Sequence, residues 1–364
     1  MKKVPVLFLF LILAIFVLSA CGNKETNAPS KETETVVVNP GEKEQQTDNS
    51  QQTEEKTEEN PVEEKPILPF TAPLTGIGSE VELKDRVVMV MINNHPKARP
   101  QFGLSQADIV YEVLAEGQIT RFAAMYQSQS PEVIGPIRSI RPYYIDLGVG
   151  YDAIMVHSGG SPSALDLLSS KGYAHLDEIY NAGAYFWRSK NRKPPHNLYS
   201  SMEKIRQASK DKGFRENTSI PTFPFIDEDQ EASGDKAEKI KVVYGSLYEL
   251  GYEYNPETKK YKRFTEQEAH IDLSTNTQIE VTNILVVEAF HRVLDNEGRR
   301  AIDLFKGGKG YLFQRGKVQE VDWKNVRGII RAYKDGKELG LYPGNTWVNI
   351  IPDVPGIKTS VTFE

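Results

Sequence analysis

Cysteine is almost absent from this chain of 364 residues, which contains only Cys21. With no second cysteine the protein can form no internal disulfide, so burial of apolar side chains must stabilise its folded part. Metal sites built from paired cysteines are excluded for the same reason.

Local motifs of common catalytic and cofactor sites are also missing. The sequence has no His-Glu-x-x-His, aspartate-rich loop, Walker or dinucleotide pattern, so we expect no metal and no cofactor, and we favour a binding protein over an enzyme. His95, His157 and His196 could still meet around a metal in space. Ser158 and Ser161 are candidate nucleophiles, but no glycine stands two residues before Ser158, as a nucleophile elbow requires.

Net charge is concentrated in a short segment. The chain carries −6 overall, while residues 22–66 alone contain five lysines, twelve acidic residues and no aromatic residue. Such a segment buries too little apolar surface to offset the entropy of ordering it. We therefore predict a disordered acidic linker over residues 21–66. The remaining sequence is nearly neutral, and we expect no bulk attraction to nucleic acid.

The first 20 residues have the pattern of a signal peptide. Lys2 and Lys3 precede an apolar run over residues 4–20, and the small-residue site Leu18-Ser19-Ala20 comes directly before Cys21. Leu-Ser-Ala-Cys resembles the lipobox of bacterial lipoproteins. The resemblance implies a mature protein that begins at Cys21, carries a diacylglyceryl thioether and an N-acyl chain such as palmitate, and lies on the extracellular face of the membrane. A plain transmembrane anchor is the alternative, but the run is short for a membrane span.

The remaining sequence predicts an α+β fold in two domains. Residues 67–226 read as a mixed α/β sheet with helices, including a strand over 86–92 and a hairpin formed by 108–116 and 120–126. Ser200 and Glu203 form a capping box that predicts a helix start. Residues 227–239 are a polar inter-domain linker. Residues 240–364 show short strands about every ten residues, typical of an antiparallel β-sandwich or barrel.

Residues 135–168 contain the clearest candidate site. A predicted strand over 153–156 leads into the turn Gly159-Gly160 and a helix capped by Ser161. Free backbone N–H groups and a helix N-terminus beside a glycine turn favour an anion. Arginine side chains upstream can form forked hydrogen bonds to carboxylate or phosphate. The predicted binding residues are Arg138, Arg141, His157, Ser158, Gly159, Gly160, Ser161, Arg121 and Arg99.

Each of these residues also has a purely structural interpretation. The glycines can serve only to let the helix pack on the sheet, and Arg138 and Arg141 can pair with Asp146, Asp152 or another acid. The hairpin can bring Arg121 against acidic residues of the opposite strand. These acids are Glu112 and Glu116. The aromatic residues can belong to the core or stack on sugar rings. They are Tyr143, Tyr144, Tyr185, Phe186 and Trp187.

Several motifs together resemble the YerB-type lipoproteins. They are Arg99 to Leu104, Ala107 to Glu112, Glu116 to Phe122, Gly135 to Ser139, His157 to Gly159 and Pro343 to Val348. The resemblance implies a two-domain, membrane-anchored envelope protein of Gram-positive bacteria. It assigns no activity and no catalytic residue.

We expect an accessory protein of the cell envelope. Through the anion site it would bind peptidoglycan, a teichoic polymer or a cell-wall synthase. The alternative is an enzyme, a phosphotransferase or hydrolase acting on lipid-linked or wall glycan substrates. A solute-binding lipoprotein is a third class, but such proteins have two similar lobes, and the two predicted domains here differ.

Overall fold

The computed structural model describes residues 68–220, 222–245 and 248–364. The predicted signal peptide, Cys21 and the acidic linker lie outside these residues. In the described ranges, no helix has the length and apolar character needed to cross a membrane.

The amino-terminal part alternates strands with helices. Its strands are β1 (Phe70–Thr71), β2 (Gly78–Ser79), β3 (Val88–Asn93), β4 (Ile109–Glu116), β5 (Ile119–Tyr126), β6 (Ile154–His157), β7 (His175–Asp177), β8 (Trp187–Arg188) and β9 (Leu198–Tyr199). Its α-helices are α1 (Pro142–Gly150), α2 (Pro162–Lys171) and α3 (Met202–Asp211).

The carboxy-terminal part consists mainly of strands. They are β10 (Asp235–Lys236), β11 (Lys239–Tyr244), β12 (Tyr248–Asn255), β13 (Lys260–Thr265), β14 (Glu268–Ala269), β15 (Ile271–Asp272), β16 (Thr277–Gln278), β17 (Glu280–Val281), β18 (Asn283–Val293), β19 (Arg300–Asp303), β20 (Gly308–Gln314), β21 (Lys317–Val326), β22 (Ile329–Lys334), β23 (Lys337–Glu338), β24 (Thr346–Pro352) and β25 (Val361–Phe363). A short helix, α4 (Ile357–Ser360), precedes the last strand. Together the two parts have the predicted α+β composition.

Local sequence signals explain where the helices begin and end. The Ser161 hydroxyl accepts a hydrogen bond from the Ala164 amide at 3.3 Å, and Gly172 ends α2 with a φ of 62°. Helix α3 starts one residue later than the predicted capping box, because Ser201 rather than Ser200 caps it, with its hydroxyl 3.2 Å from the Lys204 amide. The Ser200 hydroxyl instead donates to the Tyr185 carbonyl.

A large mixed sheet runs through both parts. Within the described residues it has 13 strands, with the order β23-β22-β21-β20-β18-β24-β4-β5-β3-β6-β7, while β10 pairs with β21 and β19 with β18. Strand β24 lies between β18 and β4 and is parallel to both. The predicted linker therefore separates two parts of the chain that share one sheet, and the domain boundaries themselves stay a prediction.

The two faces of this sheet bury different cores. Met89 and Met91 of β3 face α1 and α2, whereas Val88, Val90 and Ile92 face α3 and a second sheet. This alternation explains why the sequence of β3 is apolar throughout, since both faces are covered. The second sheet has the order β14-β13-β12-β11-β25, with β17 beside β13.

Candidate functional site

Six strands of the large sheet point in the same direction and end at one edge. They are β18, β24, β4, β3, β6 and β7. The edge carries polar residues from β4, β6 and β7, ending at Glu116, His157 and Asp177, and His95 follows β3. In open α/β sheets, ligands bind outside the carboxyl ends of the strands.

Glu116 binds two of the predicted arginines. Its Oε2 lies 2.8 Å from Nη2 of Arg121, and its Oε1 accepts a hydrogen bond from Nη2 of Arg141. The same guanidinium groups donate through Nη1 to the carbonyls of Ser139 and Ile140, each at 2.6 Å. Both side chains are nearly buried. They therefore fit the structural interpretation, with Glu116 as the paired acid.

Opposing effects set the charge of Glu116. Burial alone would raise the pKa of its carboxyl group, but Arg121 and Arg141 hold that pKa below its usual value. Asp152, one of the acids considered for Arg141, instead pairs with Arg86 and Arg215. Glu116 is thus ionised and engaged through both oxygens.

Arg138 lies near Glu116, Arg121 and Arg141 but differs from the other two arginines in its contacts. Its side chain is half-buried, and among the described residues its guanidinium has no hydrogen bond or ion pair. Burial lowers its pKa, Arg121 lowers it further, and Glu116 opposes the shift. The backbone fixes its position, since the Arg138 amide donates to the Met91 carbonyl at 2.8 Å and its carbonyl accepts from the Ser158 amide at 3.1 Å. Arg138 is therefore a positioned cation without a bound carboxylate.

The amide of Gly159 in the glycine turn is not free. The Gly159 amide donates to Oδ1 of Asp177 at 2.8 Å, so a carboxylate of the protein already occupies it. A side chain at Gly160 would come within about 3 Å of Leu165, in agreement with the packing role considered for the glycines. The Ser161 amide donates to the Ile140 carbonyl. The amides of Gly159 and Ser161 are therefore engaged within the protein.

His157 and Ser158 also form hydrogen bonds within the protein. The His157 ring is buried, with Nδ1 2.9 Å from the Gly159 carbonyl and Nε2 3.1 Å from Nδ1 of His175. Burial lowers the pKa of His157 to about 4, against the opposing charge of Asp177. Ser158 donates through its hydroxyl to Glu178 at 2.8 Å.

Arg99 does not belong to the arginine cluster, which consists of Arg121, Arg138 and Arg141. Its Nε donates to the Asn94 carbonyl and Oδ1, both at 3.1 Å, and its Nη1 lies 3.4 Å from Oε2 of Glu266. Its guanidinium also stacks over the ring of Tyr248. Arg99 thus connects the amino-terminal part to strand β12 and the turn after β13.

A cavity of about 360 Å³ opens beside Arg141. It lies against the first turns of α1 and α2, and the Nε atoms of Arg141 and Arg300 on its wall are buried without a hydrogen-bond partner in the described ranges. Asp146 also lines it, and burial raises the pKa of this carboxyl group to about 6. The arginine cluster therefore has an accessible hollow next to it.

The predicted histidines do not meet as a metal site. His95 and His196 stack with ring centroids 4.5 Å apart, whereas His157 contacts His175. Over the described residues, no group of three or more His, Cys, Asp and Glu side chains could hold a metal ion. Of the aromatic candidates, Tyr143 and Tyr144 are core residues.

Two family models match the chain. The "Protein of unknown function (DUF3048) N-terminal domain" matches residues 74–215, and the corresponding C-terminal domain matches residues 240–348. "Putative lipoprotein YerB" of Bacillus subtilis (strain 168) is 43% identical over 308 residues, covering 82% of this chain and 92% of that protein. The chain belongs to the DUF3048 family.

A solved structure agrees with this assignment. The crystal structure of the YerB protein from Bacillus subtilis matches with a TM-score of 0.75 and 41% identity, over 81% of this chain and 99% of that one. The predicted resemblance to YerB-type lipoproteins is thus confirmed. Strand β24 extends four residues beyond the segment matched by the C-terminal DUF3048 model.

Proposed function

We propose that this DUF3048 protein is a lipid-anchored envelope protein that binds an anionic wall component, or a wall-synthesis protein, at Arg138. The observation that carries the proposal is that, in the part of the chain the structure describes, the Arg138 guanidinium has no hydrogen bond or ion pair, although it lies near the Glu116 carboxylate. The Glu116 oxygens bind Arg121 and Arg141, and neither oxygen forms a hydrogen bond or ion pair with Arg138. An incoming carboxylate or phosphate would supply the missing partner.

The charges around Arg138 favour such a ligand. Arg121 lowers the pKa values of Arg138 and Arg141, and the nearby Glu116 carboxylate opposes this effect. The three arginines and one acid give this cluster excess positive charge. Peptidoglycan stem peptides and teichoic polymers carry the carboxylates and phosphates that would fit.

The proposed anchor is Cys21. The pattern of residues 1–21 supports it, as does the word lipoprotein in the name of the Bacillus subtilis relative. Two acyl chains give stable membrane attachment, whereas a single chain gives marginal attachment. Anchoring would hold the anion site at the extracellular face of the membrane.

Retention of labelled muropeptides and teichoic-acid fragments on the immobilised protein tests the anion site. We expect Arg138→Ala to abolish retention. Arg138→Lys should keep part of it, because lysine has the charge of arginine but cannot form two parallel hydrogen bonds to one ligand. Lys337→Ala removes the same charge from the exposed strand β23 at the far end of the sheet and should leave retention unchanged. Equal retention by Arg138→Ala would refute the site.

Labelled lipid-linked wall precursors distinguish binding from catalysis. Turnover that depends on Arg138 would replace the binding proposal with the enzyme alternative. For the anchor, incorporation of labelled palmitate and sedimentation with membranes should both be lost in Cys21→Ser. Membrane sedimentation that survives this change would contradict lipidation at Cys21.

A further inference from the structure

Building on the anion site proposed above, we propose that Arg138 belongs to a phosphate-binding surface that also includes His95, His196, Lys97 and the basic loop. The basic loop is residues 188–196, which connect β8 to β9. The ligand would be a polymer that carries repeated phosphate groups. None of these additional residues belonged to the predicted anion site.

Hydrogen bonds fix the protonation pattern of the two stacked imidazoles. The Oδ1 atom of Asn93 accepts a hydrogen bond from the His95 amide at 3.0 Å. The Nδ2 atom of Asn93 therefore faces Nδ1 of His196, also at 3.0 Å, and donates to it. The Lys97 amide donates to Nδ1 of His95 at 3.1 Å. Because both Nδ1 atoms accept hydrogen bonds, each neutral ring carries its proton on Nε2. In the described ranges neither Nε2 has a partner, so both remain available as donors.

Electrostatics connect this pair to Arg138. Burial lowers the pKa values of both imidazoles, and Arg138 and Lys97 lower them further. For His196 the neighbouring Arg192 contributes as well. These histidines therefore lie in a positive environment that disfavours their own protonation, and a bound anion would reverse that effect.

The basic loop extends the positive surface. Its residues 188–196 include two arginines, two lysines and a histidine but no acidic residue, and of the arginines Arg188 pairs with Glu178 at 2.9 Å. Arg192 ties the loop to the body of the protein, since its Nη1 lies 2.8 Å from the Ala98 carbonyl and its Nη2 2.6 Å from the Pro100 carbonyl. Lys190 and Lys193 are exposed. Within the part of the chain that the structure describes, no ion pair neutralises Lys97, Arg138 or these two lysines.

The donor set favours phosphate over carboxylate. A carboxylate is satisfied by one guanidinium fork, whereas a phosphate group presents more acceptor oxygens in a tetrahedral arrangement. Two imidazole N–H groups, a guanidinium and nearby ammonium groups supply donors from several directions. The two exposed lysines of the basic loop, Lys190 and Lys193, could bind further phosphates of the same polymer.

Inorganic phosphate and acetate, titrated separately at constant ionic strength and pH 7, test the ligand class. We expect phosphate, but not acetate, to shift the ring NMR signals of His95 and His196 saturably and to raise their pKa values. The double variant Lys190→Glu/Lys193→Glu should weaken binding of a glycerol-phosphate polymer at least about tenfold. Lys337→Glu is the charge-matched control and should bind normally.

The outcomes separate this surface from the proposed function. If acetate and muropeptides bind in an Arg138-dependent manner while phosphate does not, the phosphate surface is refuted and the anion site stands. If no anion binds, both fail. Phosphatidylglycerol and phosphatidylcholine vesicles identify the source of phosphate: binding to the soluble polymer supports the proposal, and binding to anionic vesicles alone overturns it.

Discussion

The Nη2 atom of Arg263 lies 2.7 Å from Oε2 of Glu112, and neither side chain is exposed to solvent. The second oxygen of Glu112 accepts hydrogen bonds from Thr120 at 2.8 Å and Tyr248 at 2.9 Å. Burial alone would lower the pKa of Arg263, but Glu112 holds it above its usual range. Since Glu112 is in β4 and Arg263 in β13, this pair joins the two sheets through their shared core.

Glu112→Gln should destabilise the protein strongly. The change leaves a buried guanidinium without its counter-charge, which costs about 3–5 kcal/mol. Equilibrium unfolding in urea, followed by tryptophan fluorescence, measures the loss. The exposed pair Lys309 and Asp322, 2.7 Å apart, provides the control, because Asp322→Asn should cost less than about 1 kcal/mol. Similar losses for the two variants would show that the buried pair has no special role.

Asp146→Asn should stabilise the protein at neutral pH. The folded-state pKa of Asp146 is about 6, against an ordinary value of 3.8, so the folded state binds more protons between these values and its stability falls as pH rises. Because Asp146 is half-buried, screening reduces the gain to about 1 kcal/mol, or roughly 2–4 °C in Tm.

Thermal unfolding at pH 7.5 and pH 4 checks this prediction. The gain should be full at the higher pH and fall to roughly a fifth at the lower one, which is close to the unfolded-state pKa. Asp166→Asn, at an exposed position of α2, is the control and should change neither value. A gain of the same size at both pH values would contradict the titration of Asp146 as its cause.

His291→Gln should flatten the dependence of stability on pH. Burial lowers the pKa of His291 to about 4, and Nδ1 of its neutral ring donates to the Ala289 carbonyl at 2.8 Å. Between about pH 4 and 6.5 the unfolded chain binds a proton that the folded chain does not, so stability is full above pH 6.5 and falls with decreasing pH.

The slope of unfolding free energy against pH measures this contribution. His291 should add up to about 1.4 kcal/mol per pH unit within that window, and the glutamine variant should lose that part of the slope. Above pH 7 the two slopes should coincide. Parallel curves throughout the acidic range would mean that His291 has the same pKa in the folded and unfolded chains.

Gly328→Ala should cost more than Gly336→Ala. Both glycines have positive φ values, 90° and 78°, at which alanine is strained by about 1–2 kcal/mol. A methyl group at Gly328 would also collide with the backbone of Gly150 in the last turn of α1, whereas nothing lies within 4 Å of one at Gly336. The difference between the urea unfolding midpoints of the two variants measures the cost of the contact between residue 328 and Gly150. Equal midpoints would show that this contact has no cost.

Local signals in the sequence identified several elements well. The Ser161 cap and the hairpin of β4 and β5 were predicted correctly, because residues close in sequence determine them. The pairing of Arg121 with Glu116 followed from the same hairpin. Ser201 replaced Ser200 as a cap, since adjacent serines give the same signal and the packing of the following helix selects between them.

Contacts between distant segments were not predictable in this way. The Gly159 amide was expected to be free, but Asp177 reaches it from β7, and no local pattern encodes that approach. The stacking of His95 on His196 depends on how the basic loop folds back. The pairing of β24 with β4 joins residues more than 200 positions apart, and neither strand's own sequence specifies its neighbour.

The position of β24 also affects the order of assembly. A polypeptide that crosses a membrane amino end first would deliver β4 long before residues 346–352 emerge. Until then β4 would expose a row of unpaired amides and carbonyls, an edge that favours association with other chains. Under the export proposed above, early delivery of residues 346–352 or shielding of this edge by a chaperone would limit such association.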